Sequence, residues 1–200
     1  MAEKRYYMVC VDLEGRSCLV VGAGAVGLEK ARGLVECGAH VTVVAPEAGA
    51  EIGQLPVRWL PRPYESSDLA DRFLVVAATS SEEVNRRVFA EAESRGLLCN
   101  VADVPELCSF ILPAVHREGP IAVAVSTGGA SPALAQRLRG EIAGLVGPEH
   151  AELAERLREL RPWAKETFGT YEERREFFER LVDEEWPRAT HASPLQGRSE

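Results

Sequence analysis

A short apolar run, Ser17 to Val21, leads without a break into Gly22-Ala23-Gly24-Ala25-Val26-Gly27, and Leu28 to Cys37 then reads as a helix that Gly38 stops. A second apolar run, His40 to Ala45, follows at once. Strand, glycine turn, helix and strand make a βαβ unit, and the glycine spacing is the one a dinucleotide needs. Gly22 permits a tight turn, Gly24 lets the backbone approach a pyrophosphate, and Gly27 lets helix and strand pack closely. The N–H groups of the helix start then face the anion.

One part of that fingerprint is missing. An acidic residue usually ends the second strand and takes the ribose hydroxyls, but here Val44 runs into Ala45-Pro46. Either Glu47, one step further on, fills the role, or backbone groups around Ala45 and Pro46 do. No arginine stands where it would welcome a 2′-phosphate, which favours NAD over NADP.

Further along, the same alternation continues. Tyr6 to Leu13 is β-prone and is expected to flank the sheet, and Val57 to Leu60 is a brief strand limited by Pro56, Pro61 and Pro63. Phe73 to Thr79 is an unbroken apolar run, as in a parallel strand buried on both faces. Ser80 is expected to cap the next helix with Glu83 completing a capping box, and Val84, Val88, Phe89 and Ala92 mark its inner face. After Gly96, Leu97 to Val101 is a strand that ends just before Asp103. The pattern predicts an α/β fold, a Rossmann-type doubly wound parallel sheet, with Gly22, Thr79 and Asp103 at the carboxyl ends of its strands. The rhythm then changes. Ser109 to His116 and Pro120 to Ser126 are expected to form a hairpin turning at Arg117-Glu118-Gly119. Ser131 and Pro132 then start a helix striped by Leu134, Leu138, Ile142 and Leu145, with Gly147-Pro148 as its end. Glu149 to about Trp186 reads as a charged helical annex broken near Gly169, with Leu153, Leu157, Leu160, Phe168, Tyr171, Phe177, Phe178 and Leu181 as packing positions.

The formal net charge of −8 excludes non-specific nucleic-acid binding, which depends on clustered Lys and Arg. It leaves room for an anionic small molecule held locally by groups such as Arg117, Arg137 and Arg139. No apolar run approaches the roughly 20 residues that span a bilayer, and the start Met1-Ala2-Glu3-Lys4 does not resemble a signal peptide, so a cytoplasmic chain is expected. Its five cysteines, Cys10, Cys18, Cys37, Cys99 and Cys108, lack paired spacing and are expected to be buried free thiols. His116 reads as hydrogen-bonded structure rather than a metal ligand. His40, His150 and His191 have no ligand spacing either, so no protein metal site is predicted.

Three motifs in order, LVVGAGAVGLEKARGL from Leu19, CNVADVPELCSFILPA from Cys99 and AVSTGGASPALAQRLR from Ala124, closely resemble the siroheme-synthase amino-terminal family, the precorrin-2 dehydrogenases. The likeness spans Leu13 to about Gly147 and continues weakly beyond. It implies an NAD-dependent enzyme that oxidises precorrin-2 to sirohydrochlorin, a homodimer, and, in some members, insertion of ferrous iron as a second reaction. Carried over by motif, Gly22, Ala23, Gly24, Ala25, Val26 and Gly27 would hold NAD, with Pro46, Glu47 and Thr79 nearby. Asp103 falls on the family's active-site aspartate, and Ser126 on the serine opening the STGG loop near the tetrapyrrole. Gly128 lies in that loop, and Arg117 and Arg139 are the candidate cations for the substrate's carboxylates. A hydroxyl that satisfies its own loop is the plain reading of Ser126, and a turn cap before Pro105 is that of Asp103. The chain departs from the family at Gly27, where many members have alanine, at Glu29, where arginine is usual, and at Ala130. The implied domains are 1–112 for NAD, 113–147 for dimerisation, 148–187 helical, and 188–200 a flexible tail. There is no room for the methyltransferase fused in some relatives, so another protein is expected to supply precorrin-2. The product's onward route is siroheme, cobalamin or another haem route. A competing class is an NAD-binding regulatory module that turns nothing over.

Overall fold

In the computed structural model, which describes residues 6–186, the apolar runs of the first half become a parallel sheet. Its strands β1 (Ser17–Val21), β2 (His40–Val44), β3 (Arg58–Leu60), β4 (Leu74–Ala77) and β5 (Leu98–Val101) stand in the order β3-β2-β1-β4-β5. Alternate residues of a strand point to opposite faces. In β1, Cys18 and Val20 therefore join Leu28 and Ala31 of helix α1 (Ala25–Glu36), while Leu19 and Val21 join Val88 and Ala92 of helix α2 (Glu82–Ser94). With both faces covered, the inner strands have no solvent side, which is why Leu74 to Ala77 is apolar throughout. The expected doubly wound sheet is present, and its strand order reverses between β1 and β4.

Several local expectations need correction. Tyr6 to Leu13 forms no strand: Tyr7 is 90% exposed and only Leu13 of the run is buried. The sheet offers it no edge. The outer edge of β5 is taken by the chain's own continuation, through Cys99 N–H to Ser109 Oγ at 2.7 Å and Ser109 N–H to Cys99 O at 2.8 Å. The other edge, β3, is three residues long and set among prolines. For the same reason the strand expected from Ser109 starts only at Ala114. Helix α2 is capped by Ser81, whose Oγ accepts Val84 N–H at 3.3 Å, rather than by Ser80. The residue after Ser81 by three is then Val84, so the expected capping box with Glu83 is absent.

Residues through Ile111 form one compact unit and those from Leu112 on a second. In the second, β6 (Ala114–Glu118) and β7 (Ile121–Val125) form an antiparallel hairpin. It turns at Gly119-Pro120, two residues later than Arg117: Gly119 has φ +52°, the sign that the first position of a two-residue turn needs there. Helix α3 (Pro132–Ala143) packs on the hairpin, with Ser131 as its cap as expected. It ends at Gly144, whereas Gly147 and Pro148 open helix α4 (Pro148–Thr167). Helix α5 (Tyr171–Glu185) packs on α4 after the break at Gly169. Trp163, Phe168, Phe177 and Phe178 form a chain of ring contacts with centroids 5.2–5.8 Å apart, while Tyr171 is exposed. His116 Nε2–H donates to Val146 O at 2.9 Å, a structural role. Cys18, Cys99 and Cys108 are buried, but Cys37 is half-buried and Cys10 exposed, so the expectation of buried thiols fails for these two. The tail 188–200 and His191 lie outside the described residues. Among the described residues no helix is long and apolar enough to cross a membrane.

Candidate functional site

Parallel strands all end on the same edge, and the reversal between β1 and β4 leaves a crevice there. A cavity of about 500 Å³ occupies it, lined by Val21 to Gly24 from the end of β1, Val44 to Glu47 from the end of β2, Pro63 and Tyr64 after β3, Ala78 to Ser81 after β4, and Val84 of α2. Its size suits a nucleotide-sized ligand.

The three glycines of the turn differ in what requires them. Gly22 has φ +108°, and a Cβ there would lie 2.3 Å from Ala78 O; at Gly27 it would lie 2.1 Å from Gly22 O. Both are required by the protein itself. The alanine that many members of the resembled family carry at the second position would force this turn to open. Gly24 has ordinary backbone angles and nothing within 4 Å of its would-be Cβ. Gly24 itself is part of the cavity lining. Gly24 is also the N-cap of α1, with no side-chain cap and no acidic residue in the first turn. The first-turn N–H groups at Ala25, Val26 and Gly27 therefore present an uncapped positive helix end, which suits an anion. These residues fit a dinucleotide pyrophosphate.

Three parts of the lining are held by side-chain contacts. Trp59 Nε1–H donates to Ala45 O at 3.0 Å, holding the loop that carries Pro46 and Glu47. Among the described residues Glu47 is the only charged one in the lining, and no Lys or Arg of theirs stands there to meet a 2′-phosphate. Tyr64 is held by its hydroxyl, which donates to Glu91 Oε2 at 2.7 Å, and by the Arg87 guanidinium over its ring. Burial first, and then the bond to Glu91, push the phenol's pKa up, so it stays a neutral donor. Glu91 also accepts from Ser66 and Arg87; these bonds outweigh the effect of burial and hold its carboxyl below the usual range. Nearby, Arg62 grips Asp68 through two bonds of 2.6 and 2.9 Å. Burial alone would raise the Asp68 pKa, but the Arg62 fork and the Glu65 N–H reverse it, leaving the carboxyl depressed. Behind the fourth strand, Thr79 is bound on all its polar groups by Asn85 and Ser81.

Gly22, Ala23, Gly24, Pro46, Glu47 and Thr79 are thus brought to one cavity. Asp103 is not in its lining. It stands two residues past the end of β5 on the same sheet edge, exposed, with φ +60°, and its carboxylate makes no hydrogen bond or ion pair among the described residues. The turn-capping role read from sequence has no contact behind it. Ser126, Gly128, Arg117 and Arg139 belong to the second unit. Ser126 Oγ accepts Gly128 N–H at 3.2 Å, and Gly128 and Gly129 both have positive φ, so the hydroxyl does serve its own loop. Arg117 is on the exposed face of β6 beside Ala122, and Arg139 is half-buried on α3. Sequence reasoning missed Tyr64, Trp59 and Asn85. For Asn85 a signal existed: it falls four residues before Phe89 and three before Val88, on the apolar stripe of α2, where an amide needs a reason.

Three family models match along the chain: "Putative NAD(P)-binding" over residues 9–114, "Sirohaem biosynthesis protein central" over 118–145, and "Sirohaem synthase dimerisation region" over 149–193. The siroheme synthase of Thioalkalivibrio sulfidiphilus is 41% identical over 182 residues, covering 89% of this chain and 37% of that protein. The siroheme synthase of Ectopseudomonas mendocina is 42% identical over 169 residues, covering 84% and 37%. The chain thus spans less than two fifths of these curated relatives. Among solved structures, SirC, a precorrin-2 dehydrogenase, superposes with a TM-score of 0.77 at 29% identity, covering 90% of this chain and 92% of that one.

Proposed function

We propose that this chain, which belongs to the NAD(P)-binding family of sirohaem biosynthesis, is an NAD-dependent dehydrogenase that oxidises precorrin-2 to sirohydrochlorin. The observation that carries the reading is the cavity at the β1/β4 reversal, with an uncapped helix start and a lining glycine, Gly24, that has nothing within 4 Å of its would-be Cβ. NAD, when bound, supplies the acceptor for the hydride. The protein's own work is to hold and orient. Gly22 to Gly27 would take the pyrophosphate, and Glu47, or backbone groups at Ala45 and Pro46, the ribose. The lining's single negative charge and lack of cations favour NAD over NADP.

Loss of hydride from the macrocycle must be accompanied by loss of a proton from a neighbouring centre, so one base is needed. We assign that to Asp103. Its exposed, unbonded carboxylate at a strand's carboxyl end supports the role, as does its left-handed backbone, a conformation that costs a non-glycine residue about 1 kcal/mol or more. Arg117, Arg139, Ser126 and Gly128 are the residues we assign to the substrate. The exposed Leu134, Leu138 and Leu145 support a homodimer formed through the second unit. We place the activity in the cytoplasm, where free thiols such as Cys10 stay reduced.

The test is an anaerobic incubation with precorrin-2 and NAD. The reading requires NADH to appear in step with sirohydrochlorin; NAD binding without NADH formation would leave a regulatory module instead. Adding ferrous ion reads the second reaction, for which Asp103 is the acceptor of the displaced pyrrole protons.

A further inference from the structure

Helix α2 buries three residues toward the sheet, Val88, Ala92 and Asn85, and the third is an amide only 8% exposed. A buried amide is destabilising unless its donor and acceptor are both used. Here both are, and on one residue. Asn85 Oδ1 accepts Thr79 N–H at 3.2 Å and lies 2.8 Å from Thr79 Oγ1, and Asn85 Nδ2–H donates to Thr79 O at 3.0 Å. Thr79 Oγ1 in turn accepts Ser81 N–H at 3.1 Å. Thr79, Ser80 and Ser81 form one wall of the cavity, immediately after the strand at the reversal.

We infer that Asn85 is a positioning residue for the cofactor: it touches no ligand space itself but fixes the Thr79-Ser80-Ser81 wall in the shape that receives the dinucleotide. The inference rests on the NAD reading above. Leucine at this position would continue the apolar stripe of α2, so the core gains nothing from an amide. What the amide supplies is a loop with its donors and acceptors turned inward onto one side chain, leaving the wall rigid before the ligand arrives. Such pre-organisation appears in cofactor affinity rather than in the chemical step.

The test compares the whole chain with Asn85→Leu and Asn85→Asp. Leucine removes every bond to Thr79, while aspartate keeps the acceptor for its N–H but sets a second acceptor against its carbonyl. NADH affinity is measured by fluorescence titration, together with melting temperature and with KM for NAD and kcat in the precorrin-2 assay. We expect NADH binding to weaken about tenfold in Asn85→Leu and somewhat less in Asn85→Asp. KM for NAD should rise in step, with kcat at saturating NAD within about twofold of wild type. A folded variant that binds NADH as wild type does, whatever its melting temperature, would overturn the inference and leave Asn85 as a stability residue; if Asn85→Leu does not fold, Asn85→Asp decides. Failure of the wild-type chain to bind NADH would instead sink the cofactor reading, and this inference with it.

Discussion

Val88 and Ala92 on α2, and Leu134 and Leu138 on α3, are each a pair of apolar residues four apart on an amphipathic helix. The first pair is completely buried; the second is 50% and 38% exposed. The difference extends to the units that contain them. The first unit closes two apolar layers within one chain, one on each face of its sheet. Of the described residues in the second, the buried hydrophobics are Ala135, Ala151, Leu153 and Ala164, while Val115, Leu145 and Trp163 join the leucines outside. A surface stripe of this kind marks a face made for another surface. The first unit thus closes its own core, while the second leaves apolar side chains at its surface, as the proposed homodimer requires.

The sharpest way to separate them begins in the glycine turn. Gly24→Asp should abolish NAD binding, because a side chain and a negative charge would enter the space beside the uncapped helix start, while the empty surroundings of its Cβ let the fold survive. Gly22→Ala should do the reverse of sparing the fold, since its Cβ must displace Ala78 backbone and its φ is wrong for alanine. Titration calorimetry and thermal melting, run on both, distinguish loss of a site from loss of a fold. Unchanged NAD affinity in Gly24→Asp would break the comparison at its root.

Next in size, Leu138→Glu with Leu134→Glu should convert the proposed dimer to monomer in sedimentation, while NADH still binds. A wild-type chain that is monomeric at micromolar concentration would remove the interface. The smallest effect lies wholly within the first unit. Asp68→Asn should cost about 1–3 kcal/mol at neutral pH by weakening the Arg62 fork. The folded pKa of Asp68 is depressed, so its contribution is complete above the unfolded carboxylate value and is lost as pH falls through the folded one. Urea unfolding of wild type and variant should therefore differ at pH 7 and converge below about pH 4; a gap constant down to pH 2 would contradict the linkage.

How far the sequence revealed this depended on what each signal measures. Unbroken runs such as Leu74 to Ala77 were legible because burial on both faces leaves a strand no choice of polarity. The glycine turn was legible because steric demands at Gly22 and Gly27 admit few residues. Tyr6 to Leu13 misled, since β propensity reports what a residue tolerates, not whether a sheet has an edge free. The Ser80 cap was one residue early because Thr79 is clamped to Asn85, a contact six residues apart that periodicity does not register. Leu134, Leu138 and Ile142 fall on α3 as the stripe required, whereas Leu145 lies past its end at Gly144, and periodicity alone says nothing of which surface covers the exposed leucines. Asp103 is the hardest case, marked by motif and by a left-handed backbone but by no side-chain hydrogen bond or ion pair among the described residues.

That residue carries the central claim. Asp103→Asn keeps size and removes only the basic carboxylate, so precorrin-2-dependent NADH formation under anaerobic conditions should fall about 10²-fold or more, while NADH affinity measured on the same sample stays at the wild-type value. A variant that forms NADH from precorrin-2 at the wild-type rate would contradict the account and remove Asp103 from the chemistry.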